Sequence, residues 1–144
     1  MKRKSSKKKT EMTIKFDVEQ FVLDDHPWRD PIKENDRMFV FRDGFPVSEV
    51  GHFLFVPKTN DMDDISACLD AAVKQGAVFV DEEICDAFNV GMNYGEAAGQ
   101  TVMWPHIHLI LRKHGDCENP RGGVRHVIPG KGDYTKYVSI DTSA

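Results

Sequence analysis

Short apolar runs alternate with polar turns along most of the chain, and one stretch follows a four-residue rhythm instead. "RMFVFR" at 37–42 and "HFLFVPK" at 52–58 are brief and rich in aromatic and β-branched residues, as buried strands are. "DGFP" at 43–46 is a turn signal, so 37–58 reads as an antiparallel pair joined by a loop. Farther on, Ile65, Leu69, Val73, Gly76/Ala77, Val80 and Ile84 recur about every four residues and make one apolar face. That spacing predicts one long helix over about 62–86. Asn60 is the expected cap, and Asp61, Asp63 and Asp64 suit the positive helix end. Gly76 costs on the order of 1 kcal/mol inside a helix, so a break there is the alternative.

"DAFNVGMN" at 86–93 returns to strand, "YGEAAGQ" at 94–100 is a loop of small residues, and 101–112 reads as another strand. Residues 13–37 are irregular, kept mostly out of helix by Pro27 and Pro31, and 115–134 is a proline- and glycine-rich loop. No internal repeat is visible. The order strand, strand, helix, strand, strand predicts an α+β fold with an antiparallel sheet covered on one face. The two-residue period of the last strand puts Trp104, His106, His108 and Arg112 on one side. Met103, Ile107, Leu109 and Leu111 then pack under the helix. Pro105 cannot donate a ladder hydrogen bond, so this strand is at an edge or locally irregular there.

A length of 144 residues fits one domain with a sizeable core, and 40% hydrophobic with 29% charged residues suits a soluble globular protein. No apolar run is long enough to cross a bilayer, and the N-terminus lacks the apolar middle of a secretory signal. Three cysteines without a CxxC pair argue against a disulfide framework or zinc knuckle and favour a reducing, cytoplasmic setting. Charge is uneven. Residues 1–10, "MKRKSSKKKT", carry six basic residues and no acid, which leaves 13 basic against 23 acidic residues in the remainder. Residues 1–12 therefore read as a disordered, solvated basic tail, or as an arm for nucleic acid.

The chemistry concentrates at His106 and His108. Imidazole can be a nucleophile, a proton shuttle or a metal ligand near neutral pH. An attacking histidine needs one ring nitrogen free and the other held by an acceptor. The preceding loop adds to this: Gly95 and Gly99 let backbone approach a ligand, and Gln100 and Thr101 bring donors. A metal site is the competing reading, with His52 as third ligand beside His106 and His108.

"NYGEAAGQTVMWPHIHLILR" at 93–112 resembles the signature of the histidine triad (HIT) superfamily: Asn-x-Gly, then Gly-Gln-Thr/Ser-Val-x-His-x-His-x-His. "GHFLFVPK" at 51–58 is similar to the family's first conserved strand, and "GDCENPRGGVR" at 115–125 to an extension found in part of it. The resemblance implies a single domain over 13–144 with about five antiparallel strands, one long helix and a short additional helix, usually as a homodimer. It implies hydrolysis or transfer of a nucleotide at its α-phosphate, as in diadenosine polyphosphate hydrolases, without a metal or other cofactor. By position His106 is the nucleophile that forms a nucleotidyl-histidine, and His108 contacts the phosphate and helps the leaving group. Asn93, Gly99, Gln100 and Thr101 correspond to substrate-binding positions, and Asp43 to one near the ribose. His52 corresponds to a histidine that supports the triad. The first triad histidine is replaced by Trp104, read as an apolar wall at the pocket edge or a surface for stacking a base. That replacement keeps open a second reading, a nucleotide-binding module with little or no turnover. Arg112 and Arg121 are candidates for outer phosphates, or ordinary solvated arginines.

Overall fold

The structure, a computed structural model, describes residues 28–136. The basic tail and most of the irregular stretch 13–37 lie outside the described residues. Five strands form one antiparallel sheet: β1 Lys33–Glu34, β2 Met38–Arg42, β3 His52–Pro57, β4 Ala87–Gly91 and β5 Ile107–Arg112, in the order β1-β2-β3-β5-β4. Among the described residues one long helix, α1 (Met62–Asp81), crosses one face. The α+β reading and the two central hairpin strands hold. β1 falls in a stretch read as irregular; it is two exposed, charged residues with no apolar pattern to betray it.

α1 differs from its expected form in three ways. Asp61, not Asn60, is the cap, accepting the Asp63 N–H, while Asn60 is buried. The helix stops at Asp81 rather than 86, because Glu83 takes a positive φ of 60° and the last carbonyls bond to Glu82, Glu83 and Ile84 N–H groups. Its buried residues are Ile65, Cys68, Ala72 and Gly76, while Leu69 and Val73 are each 45% exposed. Each step of four residues turns about 40° past a full circle, so a strict four-residue series drifts off the sheet. The helix passes unbroken through Gly76. A Cβ there would lie 2.7 Å from the Phe88 ring of β4, so the missing side chain lets helix and sheet approach.

The last strand also differs. Only Ile107–Arg112 is strand, and it is central, flanked by β3 and β4. Pro105 marks local irregularity rather than an edge: the strand begins two residues beyond it. Within β5, Ile107, Leu109 and Leu111 are buried toward α1, as expected, while Met103 is 63% exposed instead of packing under the helix. The face opposite α1 is not bare. Trp28, Phe39, Phe41, Leu54 and Val56 form a second apolar cluster there, with Val102 and Trp104 packed against it. Besides α1, the described residues hold three short 3₁₀ turns, at Glu96–Ala98, Gly123–Val127 and Tyr134–Lys136.

Candidate active site

The site lies on the face opposite α1, where the apolar cluster gives way to polar side chains. β3 and β5 pair so that Leu54 faces His108 and His52 faces Ile110. Strand alternation then makes His52 and His108 diagonal neighbours, with His52 Nε2 2.9 Å from His108 Nδ1. Asp43 follows β2 directly, and its N–H donates to the His52 carbonyl. Its Oδ2 lies 3.2 Å from His52 Nε2 and 3.9 Å from His108 Nδ1. Its Oδ1 accepts the Phe45 N–H. His106 stands just before β5. Its ring meets Trp28 edge-on at 4.6 Å and His108 at 5.2 Å between centroids.

Fixed backbone groups set the protons on these rings. His106 Nδ1 is 2.9 Å from the Trp104 carbonyl. A carbonyl only accepts, so Nδ1 carries the hydrogen and Nε2 keeps a lone pair. The Val47 N–H points at His52 Nδ1 at 3.1 Å, so in neutral His52 the hydrogen is on Nε2. That hydrogen reaches His108 Nδ1, which leaves the His108 hydrogen on its own Nε2. Burial favours the neutral rings. It lowers the pKa of His106 against the opposing pull of the Trp104 carbonyl and Asp43. It lowers that of His52 against Asp43. Burial, then His106 and His52, push His108 down to about 4. The row therefore presents a neutral imidazole with an open Nε2 lone pair and a neutral hydrogen-bond donor side by side.

The loop from β4 to β5 begins beside His108, since Gly91 pairs with it. Gly95 and Gly99 hold φ values of 101° and 95°, which favour glycine. Gln100 is buried and shapes this loop: its Oε1 accepts the Gly95 N–H, and its Nε2 donates to the carbonyls of Val102 and Met103. Its side-chain amide is thus engaged within the loop. Thr101 is exposed and Asn93 half-buried, and neither side chain makes a hydrogen bond among the described residues. Trp104 packs its ring against the apolar cluster, and its indole N–H donates to the Pro57 carbonyl. Arg112 is tied to Asp116 and Asn89 rather than free for outer phosphates. Two contributors escaped the sequence reading. Trp28 sits in an irregular segment without periodicity, and Val47 acts through its backbone.

A metal fits poorly. Ligand atoms of Asp43, His52 and His108, not His106, lie within 4.8 Å of one another. The Val47 N–H holds the His52 proton on Nε2, where a metal would need a lone pair. Coordination would require breaking that bond or forming an imidazolate.

Residues 29–115 match the family model of the HIT domain. Over 91 residues, 58% of the chain, the sequence is 33% identical to the adenylylsulfatase HINT3 of Arabidopsis thaliana, covering 46% of that protein. The chain thus spans about half the length of this relative. It is 30% identical to a 16.1 kDa HIT-like protein of Mycoplasma pneumoniae, over 62% of the chain and 69% of the relative. Among solved structures it resembles a zinc-bound histidine triad family protein from Mycobacterium smegmatis, with a TM-score of 0.57, 25% identity, and coverage of 67% and 74%. It also resembles a histidine triad nucleotide-binding protein from Candida albicans, with a TM-score of 0.51, 28% identity, and coverage of 65% and 72%.

The lowered imidazole values predict a pH-dependent stability. The unfolded chain takes up protons at its histidines below about pH 6.5, while the folded chain resists. Stability is therefore expected to be complete above that value and to decline as pH falls toward 4, where His108 itself protonates. Urea midpoints between pH 7 and 4.5 measure this, and His108→Asn should make the decline shallower. A midpoint independent of pH over this range would contradict the neutral row.

Proposed function

The chain belongs to the HIT domain family, and on that premise we propose that it is a nucleotide hydrolase or nucleotidyl transferase. It acts at the α-phosphate of dinucleoside polyphosphates or nucleoside phosphoramidates through a covalent nucleotidyl-His106 intermediate. One observation carries this reading: the His106 Nδ1–H bond to the Trp104 carbonyl, which leaves the Nε2 lone pair for attack. In the first step Nε2 bonds to phosphorus and the bond from phosphorus to the leaving atom breaks. The leaving group departs with the electron pair and, where it is an amine, takes a proton from water. His108 donates its Nε2–H to oxygen or to the leaving atom as charge builds. It does so as a neutral donor, in keeping with its depressed pKa. In the second step water attacks phosphorus, the P–N bond breaks, one proton passes to solvent and the nucleoside monophosphate leaves. Asn93, Gly99 and Thr101 in the β4–β5 loop are the proposed phosphate contacts, with Thr101 offering an uncommitted hydroxyl.

The same proposal includes a homodimer. Its support is the pair Leu69 and Val73, apolar and exposed on the outer side of α1. Sedimentation at micromolar concentration should give twice the chain mass, and Val73→Asp should shift it toward the monomer. A wild-type monomer would remove this part.

A nucleotide-binding module with little turnover is the second reading, favoured by Trp104 at the first triad position. One experiment separates the two. Wild-type protein is expected to release nucleoside monophosphate from these substrates, and His106→Ala to lose more than the 10²- to 10⁴-fold typical of proton-transfer help alone. Nucleotide binding by calorimetry without wild-type turnover would establish the module instead.

A further inference from the structure

Between β2 and β3 the chain leaves the sheet at Asp43 and rejoins it at His52, and within that loop the Val47 N–H is placed on His52 Nδ1. Packing does not hold this stretch, since Phe45 and Val47 are 84% and 73% exposed. Two polar anchors bracket it instead. On one side Asp43 Oδ1 accepts the Phe45 N–H. On the other the Ser48 hydroxyl donates to the carbonyl of Leu111, a fully buried residue of β5. A hydroxyl has one hydrogen, so the Val50 N–H, at 3.2 Å, meets a lone pair of the same oxygen. The Leu111 N–H in turn donates to the Gly51 carbonyl at 2.9 Å. Ser48 thus adds a side-chain bond between loop and strand just past the last paired residues of β3 and β5, His52 and Ile110.

We infer that Ser48 is a positioning residue: by fastening the loop to β5 it keeps the Val47 N–H on His52 and, through His52, the donor hydrogen of His108 on Nε2. The inference rests on the donor role proposed for His108. With the Val47 N–H on its Nδ1, His52 carries its hydrogen on Nε2 and offers it to His108 Nδ1, 2.9 Å away. Once the loop lifts, His52 Nδ1 meets water and can take the hydrogen itself. Its Nε2 then faces His108 as an acceptor, and His108 moves its own hydrogen to Nδ1 to meet it. That leaves a lone pair on His108 Nε2 where the reaction calls for a donor. Asp43 Oδ2, 3.2 Å from His52 Nε2, favours the original placement, so loss of the Ser48 bond mixes the two forms rather than exchanging them. His106 stands outside this series of bonds, because the Trp104 carbonyl holds its Nδ1. Ser48 therefore bears on the donor and not on the attacking ring.

Long-range ¹H–¹⁵N spectra of the histidine rings at pH 7 test this in Ser48→Ala, with Ser48→Thr, which keeps the hydroxyl, beside it. Ser48→Ala is expected to move the His52 and His108 nitrogens toward the opposite tautomer and to leave those of His106 in place. Ser48→Thr is expected to keep the wild-type pattern. In turnover of a nucleoside phosphoramidate, Ser48→Ala should lose about tenfold in kcat, less than the 10²- to 10⁴-fold typical of a proton-transfer group. KM should change little, since the donated bond strengthens only in the transition state. Ser48→Cys keeps the side-chain shape, weakens the donor, and replaces the alanine variant where that protein does not fold. Wild-type ring signals in a Ser48→Ala protein of lowered thermal stability would mark the bond as merely structural and overturn the inference. Shifts of all three rings together, or a loss in Ser48→Thr equal to that in Ser48→Ala, would overturn it too. A wild-type protein without turnover would remove the nucleophile reading, while the His52 signals still decide where Ser48 places the hydrogens.

Discussion

The bond from His106 Nδ1 to the backbone carbonyl of Trp104 is the constraint around which the site is organised. It is made by a main-chain group, so it does not depend on which side chain residue 104 carries. A family pattern that places histidine there would lead one to expect a weakened nucleophile where tryptophan stands. The geometry points the other way. The tautomer that leaves Nε2 open is set by the carbonyl, and the indole is engaged elsewhere. Replacing an imidazole by an indole alters what lies beside His106, not the carbonyl that holds its Nδ1 hydrogen.

Several parts of the fold converge on that carbonyl. Pro105 separates it from β5, so Trp104 is not bound by the strand's alternation and its side chain joins the cluster of Phe39, Phe41, Leu54 and Val56. The indole N–H bond to the Pro57 carbonyl ties this segment to the end of β3. Trp28 lies against the His106 ring and limits its rotation. From the other side, the β2–β3 loop supplies the Val47 N–H that orients His52, and through it His108. Two loops and two strands thus fix two imidazoles by backbone groups and the third through His52. Asp43 is the nearby carboxylate that partly offsets their burial.

Much of this was legible in the sequence, and what was not has physical causes. β2 and β3 declared themselves because both faces of these strands are buried, which leaves unbroken apolar runs. The helix was legible, but its C-terminus was not. Ile84 continued the apolar rhythm, while the stop came from the positive φ of Glu83, a residue with no special preference for that conformation. Gly76 looked like a defect because its purpose, contact with Phe88, is tertiary. At the site, His52, His106, His108 and Asp43 were named in advance and come together. The position of Gln100 was legible, but not that its amide would close the loop through Gly95, Val102 and Met103. Val47 could not have been found from residue types, since any residue but proline supplies an N–H.

The central claim is that His106 is a neutral imidazole with its hydrogen on Nδ1. Long-range ¹H–¹⁵N correlation spectra of the histidine rings at pH 7, assigned with a His106→Ala variant, report this directly. The account predicts a protonated Nδ1 and an unprotonated Nε2 for His106, and the opposite arrangement for His52. A His106 ring with its proton on Nε2, or protonated on both nitrogens at that pH, would contradict it.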